Sequence, residues 1–269
     1  MRAGRWSKRH LVATSVALAL FAPAAAQDLF RYLDLTSEEF SQAEMTRAQI
    51  EAALAAAGPT GIVDLSARRL NGLDLSALDL RRTKLQAARL NNAKLAGANL
   101  DGVMLDQAWA LSADLSDARL RGASLFATQL MGAKLDRADF SGARVAADLS
   151  RASLIEARFD GANLAADMRN QSMGLMRGVL RSAILDRASF VNADLSRVVL
   201  EFASLRGANL KGAKLNGAEL AGADLQGADV TDADFENADA TSTRLLGLSG
   251  RAQARNFNSI RNLDRAVLD

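Results

Sequence analysis

From Leu65 to Val145 every fifth residue is apolar, seventeen positions in a row, of which fourteen are Leu and the others Ala110, Phe140 and Val145. The spacing returns from Leu180 to Leu245, where ten of fourteen such positions are Leu. A step of five fits neither common element. On a helix each step turns about 140° and smears the Leu residues around all sides, and on a strand an odd step alternates between faces. The chain must therefore turn about every five residues. Two residues before each Leu stands a small residue, as at Ala88, Ala93, Ala98, Ala113, Ala118 and Ala123, and at every fifth position from Ala203 to Ala238. Both point inward, Leu filling an axis and Ala lying against a wall too tight for anything larger.

Two stretches break this rhythm. Between Val145 and Leu149 the spacing contracts to four, and the new phase runs through Leu154, Phe159 and Leu164. Counting across that step places Phe140 and Phe159 on the same face of successive coils, so their rings stack inside the axis. Residues 165–179 leave the pattern altogether before Leu180 restores it, and a bulge or loop is expected there. Met168, Met173 and Met176 in this stretch either form an adaptable contact surface or fill an irregular kink.

Helical signals precede the repeat. Thr36-Ser37-Glu38-Glu39 and Thr46-Arg47-Ala48-Gln49 each offer a capping box, and the second opens a helix over about 47–57 that Gly58-Pro59 stops. Covering the first turn of the repeat is the expected job of residues 27–60, with recognition of a partner as the alternative. After residue 247 the pattern is ambiguous. Ile260, Leu263 and Val267 suit an amphipathic helix, whereas Arg261-Asn262-Leu263 and Ala266-Val267-Leu268 suit two more pentads; a C-terminal cap over 248–269 is the favoured expectation.

The pentads Ala98-Asn99-Leu100-Asp101-Gly102, Ala113-Asp114-Leu115-Ser116-Asp117 and Ala208-Asn209-Leu210-Lys211-Gly212 resemble the pentapeptide repeat, A-(D/N)-L-x-x. The resemblance implies an all-β solenoid, a right-handed quadrilateral β-helix with four pentads to a coil. Residues 61–247 would then make about nine coils, a rod on the order of 45 Å long at the spacing of paired strands. No proline follows Pro59, as ladder bonding between coils requires, and Gly97, Gly102, Gly207, Gly212 and Gly217 at the last pentad position suit its turns.

Composition narrows the chemistry. There is no Cys and a single His, His10, while aromatic residues make up 5% of the chain. His10 lies in a leader: Arg2, Arg5, Lys8 and Arg9, an apolar run from Leu11 to Phe21, and Ala24-Ala25-Ala26 read as a signal peptide over 1–26, cleaved before Gln27. Ser7 to Val12 also loosely resembles a twin-arginine signal. Removing four positive charges turns the formal +2 into −2. A mature chain without Cys or His builds neither a Ser-His-Asp triad nor a typical zinc site. No cofactor or metal is expected, and the product is expected in the periplasm or secreted, without an integral span.

Apolar residues at outward positions are the candidate partner surface. Trp109 precedes the small Ala110, Leu111 and Met131 lie twenty residues apart and so one above the other, and Met104 and Phe126 occupy the neighbouring face. A candidate electrostatic surface is the run Glu219, Asp224, Asp229, Asp232, Asp234, Glu236 and Asp239, opposed by Arg68, Arg69, Arg81, Arg82, Lys84, Arg89 and Lys94 at the start. Such a rod could steer a partner or associate basic end to acidic end.

These features favour a non-enzymatic exported scaffold that binds a protein, or a glycan, through one outer face, with a homodimer through a terminal cap as a further expectation. The resemblance also brings a second class, a DNA mimic that binds DNA gyrase through its acidic strip; the export signal and a charge of only −2 depart from it. A carbohydrate-active enzyme using paired acids is the third.

Overall fold

The computed structural model describes residues 34–166 and 176–269. The signal segment, its cleavage point, Met168 and Met173 lie outside the described residues. From Thr36 onward the chain forms one compact unit.

The residue before each inward position pairs in parallel with its counterpart one coil on, as in the ladder Arg69, Arg89, Trp109, Gln129. Strands β1 (Val63–Asp64) and β2 (Thr83–Lys84) begin the first of four such ladders, with Val63 opposite Thr83. One rung shows the chemistry of all: Leu95 N–H donates to Asp114 O at 2.6 Å, and Asp114 N–H returns to Ala93 O at 2.9 Å. Four ladders make four sides. Side one holds the inward residues Leu65, Leu85 and Leu105, side two Leu70, Leu90 and Ala110, side three Leu75, Leu95 and Leu115, and side four Leu80, Leu100 and Leu120. All are at most 4% exposed, and so are the Ala residues two places before them from Ala88 onward.

Each side ends in a tight turn closed by a bond such as Ala98 N–H to Leu95 O, 2.9 Å. The second residue after the inward one has a left-handed φ, as a type II turn demands. Glycine supplies it at Gly97 (+66°) and Gly102 (+70°), but Ala77 (+58°), Arg137 (+60°) and Phe202 (+58°) adopt it too. An L-residue there costs roughly 1–2 kcal/mol, so core burial and the ladder hold these corners in place.

The two interruptions fall at one corner, between sides one and two. The shortened step is accommodated by Ala146 and Ala147, both buried, with Asp148 N–H still reaching Thr128 O at 2.9 Å. One coil further on, Gly178 N–H donates to Leu164 O at 2.8 Å and Val179 N–H to Ala147 O at 2.9 Å. The coil therefore closes across the inserted segment, whose middle, 167–175, is outside the described residues. Inside the axis Phe140 stacks on Phe159 with centroids 4.7 Å apart and rings 3° from parallel. Phe190 extends the stack at 4.9 Å.

At the N-terminal end α1 spans Glu38–Ser41 and α2 Arg47–Ala56. The second capping box forms as expected, Thr46 and Gln49 bonding reciprocally. The first does not: α1 starts after Ser37, whose side chain makes no capping bond, and Ser41 Oγ donates back to Ser37 O at 2.8 Å. Ile50 of α2 is fully buried in the common core. Ala43 pairs antiparallel with Leu70, so part of the first coil's edge is engaged.

The C-terminal helix expected from Ile260, Leu263 and Val267 does not form, and neither do plain pentads. The ladder continues through Ser249, Arg255, Arg261 and Val267 in steps of six, with 3₁₀ turns at Phe257–Ser259 and Leu263–Arg265. The extra residue per side goes into a left-handed Asn, Asn256 at +54° and Asn262 at +57°. This swings Phe257 over the axis, edge-on to Phe235 at 5.6 Å, with Ile260 buried beside it. Gly250 takes an inward Leu's place because a Cβ there would collide with Thr231.

Replacing the fully buried Leu210 by Asp puts a charge where nothing can pair with it, and should cost upward of about 4 kcal/mol in chemical denaturation. Lys211→Glu, one residue on and exposed, should stay within about 0.5 kcal/mol. Ala77→Gly, relieving a left-handed corner, should raise stability by up to about 1 kcal/mol. Equal losses at 210 and 211 would refute the inward assignment.

Candidate partner-binding surfaces

The ladder brings the five apolar candidates onto two adjoining sides: Met104 on side one, Phe126 at the corner where side one meets side two, Trp109 on side two, and Leu111 and Met131 at the corner between sides two and three. Leu111 lies under Met131, Ser112 N–H donating to Met131 O at 3.0 Å, and Trp109 stands beside Leu111 opposite Gln129. Met104 pairs with Ser124 on side one, next to Phe126. Met104 is 40% exposed, and Trp109, Leu111, Phe126 and Met131 are half-buried. Arg144 lies 4.6 Å over the Phe126 ring, a cation–π contact that shields one of its faces.

Part of this surface is already used within the chain. Phe40 of α1 packs on Trp109, centroids 5.1 Å apart and rings tilted by 56°. Arg89 lies over Phe40 and pairs with Glu39. Beneath them runs a short asparagine ladder. Asn71 Nδ2 donates to Glu39 O and Gln42 O, each at 3.1 Å, and Asn91 Nδ2 to Phe40 O at 3.2 Å. The Oδ1 atoms of Asn71 and Asn91 accept from the N–H groups of Asn91 and Leu111. Both residues are 4% exposed at nominally outward positions. Sequence reasoning missed them, although two Asn one coil apart are a legible signal once outward positions are sorted into columns.

The acidic candidates do not form a strip. Residues consecutive in a solenoid run around it, so Glu219, Asp224, Asp229 and Asp234 occupy sides two, three, four and one, and Asp239 returns above Glu219. They make a girdle, and these five have partners. Glu219 pairs with Arg177 at 2.9 Å, and Asp224 with Arg206 at 2.8 Å and Arg244 at 3.4 Å. Asp229 accepts from Thr231 N–H (2.9 Å) and Oγ1 (2.6 Å), Asp234 from Asn256 (2.8 Å), and Asp239 from Thr241 Oγ1 (2.7 Å) and Asn262 (3.0 Å). Glu236 accepts from Asn216 at 3.3 Å, and Asp232 sits exposed on a left-handed corner. Nor is the girdle the end of the rod. Arg251, Arg255, Arg261 and Arg265 in the final coil lie beyond it, which corrects the expectation of a basic end meeting an acidic end.

The enclosed space in the axis between Leu90 and Phe140 is about 10 Å³ and lined by Leu, Ala110, Thr128 and Phe140, room for one water-sized sphere. Among the described residues no group of three His, Cys, Asp or Glu could hold a metal ion, and no helix is long and apolar enough to cross a membrane.

The family model described as pentapeptide repeats matches eight copies, over 74–108, 113–146, 145–166, 179–212, 203–239 and 218–247. The chain belongs to the pentapeptide repeat family. Among solved structures it is similar to HetL, a pentapeptide repeat protein involved in heterocyst differentiation regulation from the cyanobacterium Nostoc sp., at 29% identity and a TM-score of 0.57, covering 83% of this chain and 92% of that one. Full-length QnrB1, a plasmid-mediated fluoroquinolone resistance protein, is 17% identical over 77% of this chain and 92% of its own, with a TM-score of 0.37. A thylakoid lumen pentapeptide repeat protein from Arabidopsis thaliana is 27% identical over 39% of this chain and 63% of its own, with a TM-score of 0.25. No curated protein matches the chain. Pentapeptide repeat relatives imply a right-handed quadrilateral β-helix, in keeping with the four ladders.

Within this family frame the D/N position has a mechanical role. Its carboxylate or amide oxygen accepts the N–H two residues on, as Asp74 does from Ser76 (3.0 Å) and Asn209 from Lys211 (3.1 Å), and so stabilises the entry to the turn. The Arg81 side chain bonded to Asp79 holds that carboxyl at about 2. Thr231 lowers Asp229 through its hydroxyl and N–H. Burial pushes Asp239 up, but Thr241 and Asn262 outweigh it and bring it below the usual carboxylate range.

Carboxyls depressed in the folded state contribute stability that is complete above their unfolded values near 4 and is lost as pH falls through the folded ones. Denaturation midpoints should therefore be flat above about pH 5 and fall steadily from pH 4 toward pH 2. Asp239→Asn can keep the turn bond without the titration and should flatten part of that slope; an unchanged slope would show that this carboxyl does not contribute to it.

Proposed function

We propose that the chain is an exported, non-enzymatic pentapeptide repeat scaffold whose rod, about nine coils under a helical N-terminal cover, binds a protein partner across sides one and two. The carrying observation is the apolar group Met104, Phe126, Leu111 and Met131, which the ladder register gathers from successive coils onto adjoining sides one and two, with Phe126 at the corner where side one ends and Leu111 and Met131 at the corner where side two ends. Polar residues fill most other outward positions, and contiguous apolar surface on such a rod marks a contact site. Phe40 on Trp109 forms one edge of the site and fixes its limit. Six of the seven acidic candidates, all but Asp232, are engaged within the chain, which favours the scaffold over a DNA mimic.

Two measurements test this. Fractionation of the native host with intact mass should find a periplasmic or secreted product beginning at Gln27, and an uncleaved cytoplasmic product would overturn export. Photo-crosslinking residues at Met104 or Leu111 should capture the same partner in the envelope fraction, while one at Asp232 should not. Equal capture at all three positions would sink this pair of sides as the binding site.

A further inference from the structure

Phe202 carries two costs at once. At 65% it is the most exposed large apolar side chain among the described residues, and its φ of +58° is one that a bulky residue rarely adopts. It stands at the corner between sides two and three, where the next coil has Gly222. The Phe202 ring lies on that glycine: a Cβ on Gly222 would meet Cδ1 at 2.5 Å. The ring is thus seated against bare backbone. Ile184, 44% exposed, is one coil below on side three, opposite Ser204. Strain and exposure together at a single residue point to use rather than folding.

The surrounding charges say what it fits. Arg181 pairs with Glu201 at 2.5 Å, Arg206 with Asp224 at 2.8 Å, and Arg187 with Glu156 at 3.0 Å. In an isologous contact a surface meets its own copy, so an excess of one sign repels itself. A rim neutralised in opposite pairs escapes that repulsion and offers little to a highly charged partner. The C-terminal end is less balanced, because Arg251, Arg255, Arg261 and Arg265 outnumber Asp264 and Asp269 there and the excess would face its own counterpart. We propose that two copies of this chain associate side by side through the Phe202 corner, with Phe202 and Ile184 at the centre, and not through the C-terminal end.

The chain contains no Cys, which makes the test clean. In sedimentation velocity over about 1–200 µM, a range that spans weak association, the purified chain should show a concentration-dependent dimer that persists in high salt. Phe202→Gly should weaken it on the order of tenfold or more while leaving the melting temperature unchanged or raised, because glycine accepts the left-handed corner. Phe202→Asn should act alike. A single Ala221→Cys beside the ring should oxidise to a covalent dimer, and Asp232→Cys should not. A monomer throughout the range, a dimer insensitive to both Phe202 variants, or a dimer altered by Arg251→Glu and not by Phe202→Gly would each overturn the proposal.

Discussion

Burial of a Leu at every fifth residue is the interaction on which the rest of this structure depends. No single coil could hide its four Leu side chains, since its own axis is open above and below. Only the next coil closes it. The backbone ladder, with one rung per side, fixes the rise between coils, and the Ala residues two places earlier set how closely the wall approaches the axis. Turns, capping residues and termini follow from that requirement. Left-handed corners are tolerated at Arg137 and Ala77 because abandoning them would expose the Leu beside them.

The same requirement explains how the chain treats its defects. A coil short by one residue at Ala146-Ala147 survives because two small side chains can turn inward together. The insertion above it survives because Gly178 and Val179 rejoin the ladder directly, bonding to Leu164 and Ala147. Both irregularities therefore stay at one corner and leave the axial stack Phe140, Phe159, Phe190 unbroken. At each end the regular wall stops. There it gives way to larger apolar groups, Ile50 of α2 at one end and Phe257 with Ile260 at the other.

Function is confined to what the scaffold leaves over. Charged outward residues look like candidate chemistry in the sequence, yet most serve the turns and ladders: Asp229 and Asp239 hold their own corners, and Glu219 ties down Arg177. The side chains the fold does not need are the informative ones. Met104, Phe126, Leu111 and Met131 on sides one and two, and Phe202 with Ile184 in later coils, are apolar where polar residues would fold equally well.

The sequence alone determined the period, the inward Leu and Ala, the phenylalanine stack across the contracted step and the α2 capping box, because each follows from short-range spacing. It also determined that Leu111 and Met131 share a column, since one coil is a fixed count of residues. Only the tertiary structure decided that Phe40 covers Trp109 and that Asn71 and Asn91 hold α1, contacts between segments whose separation carries no periodic signal. It also decided that the acids form a girdle and that the last coil runs in steps of six. The physical reason is the same in each case: local pattern specifies which way a side chain faces, but what it meets there depends on how the ends and irregular segments return to the rod.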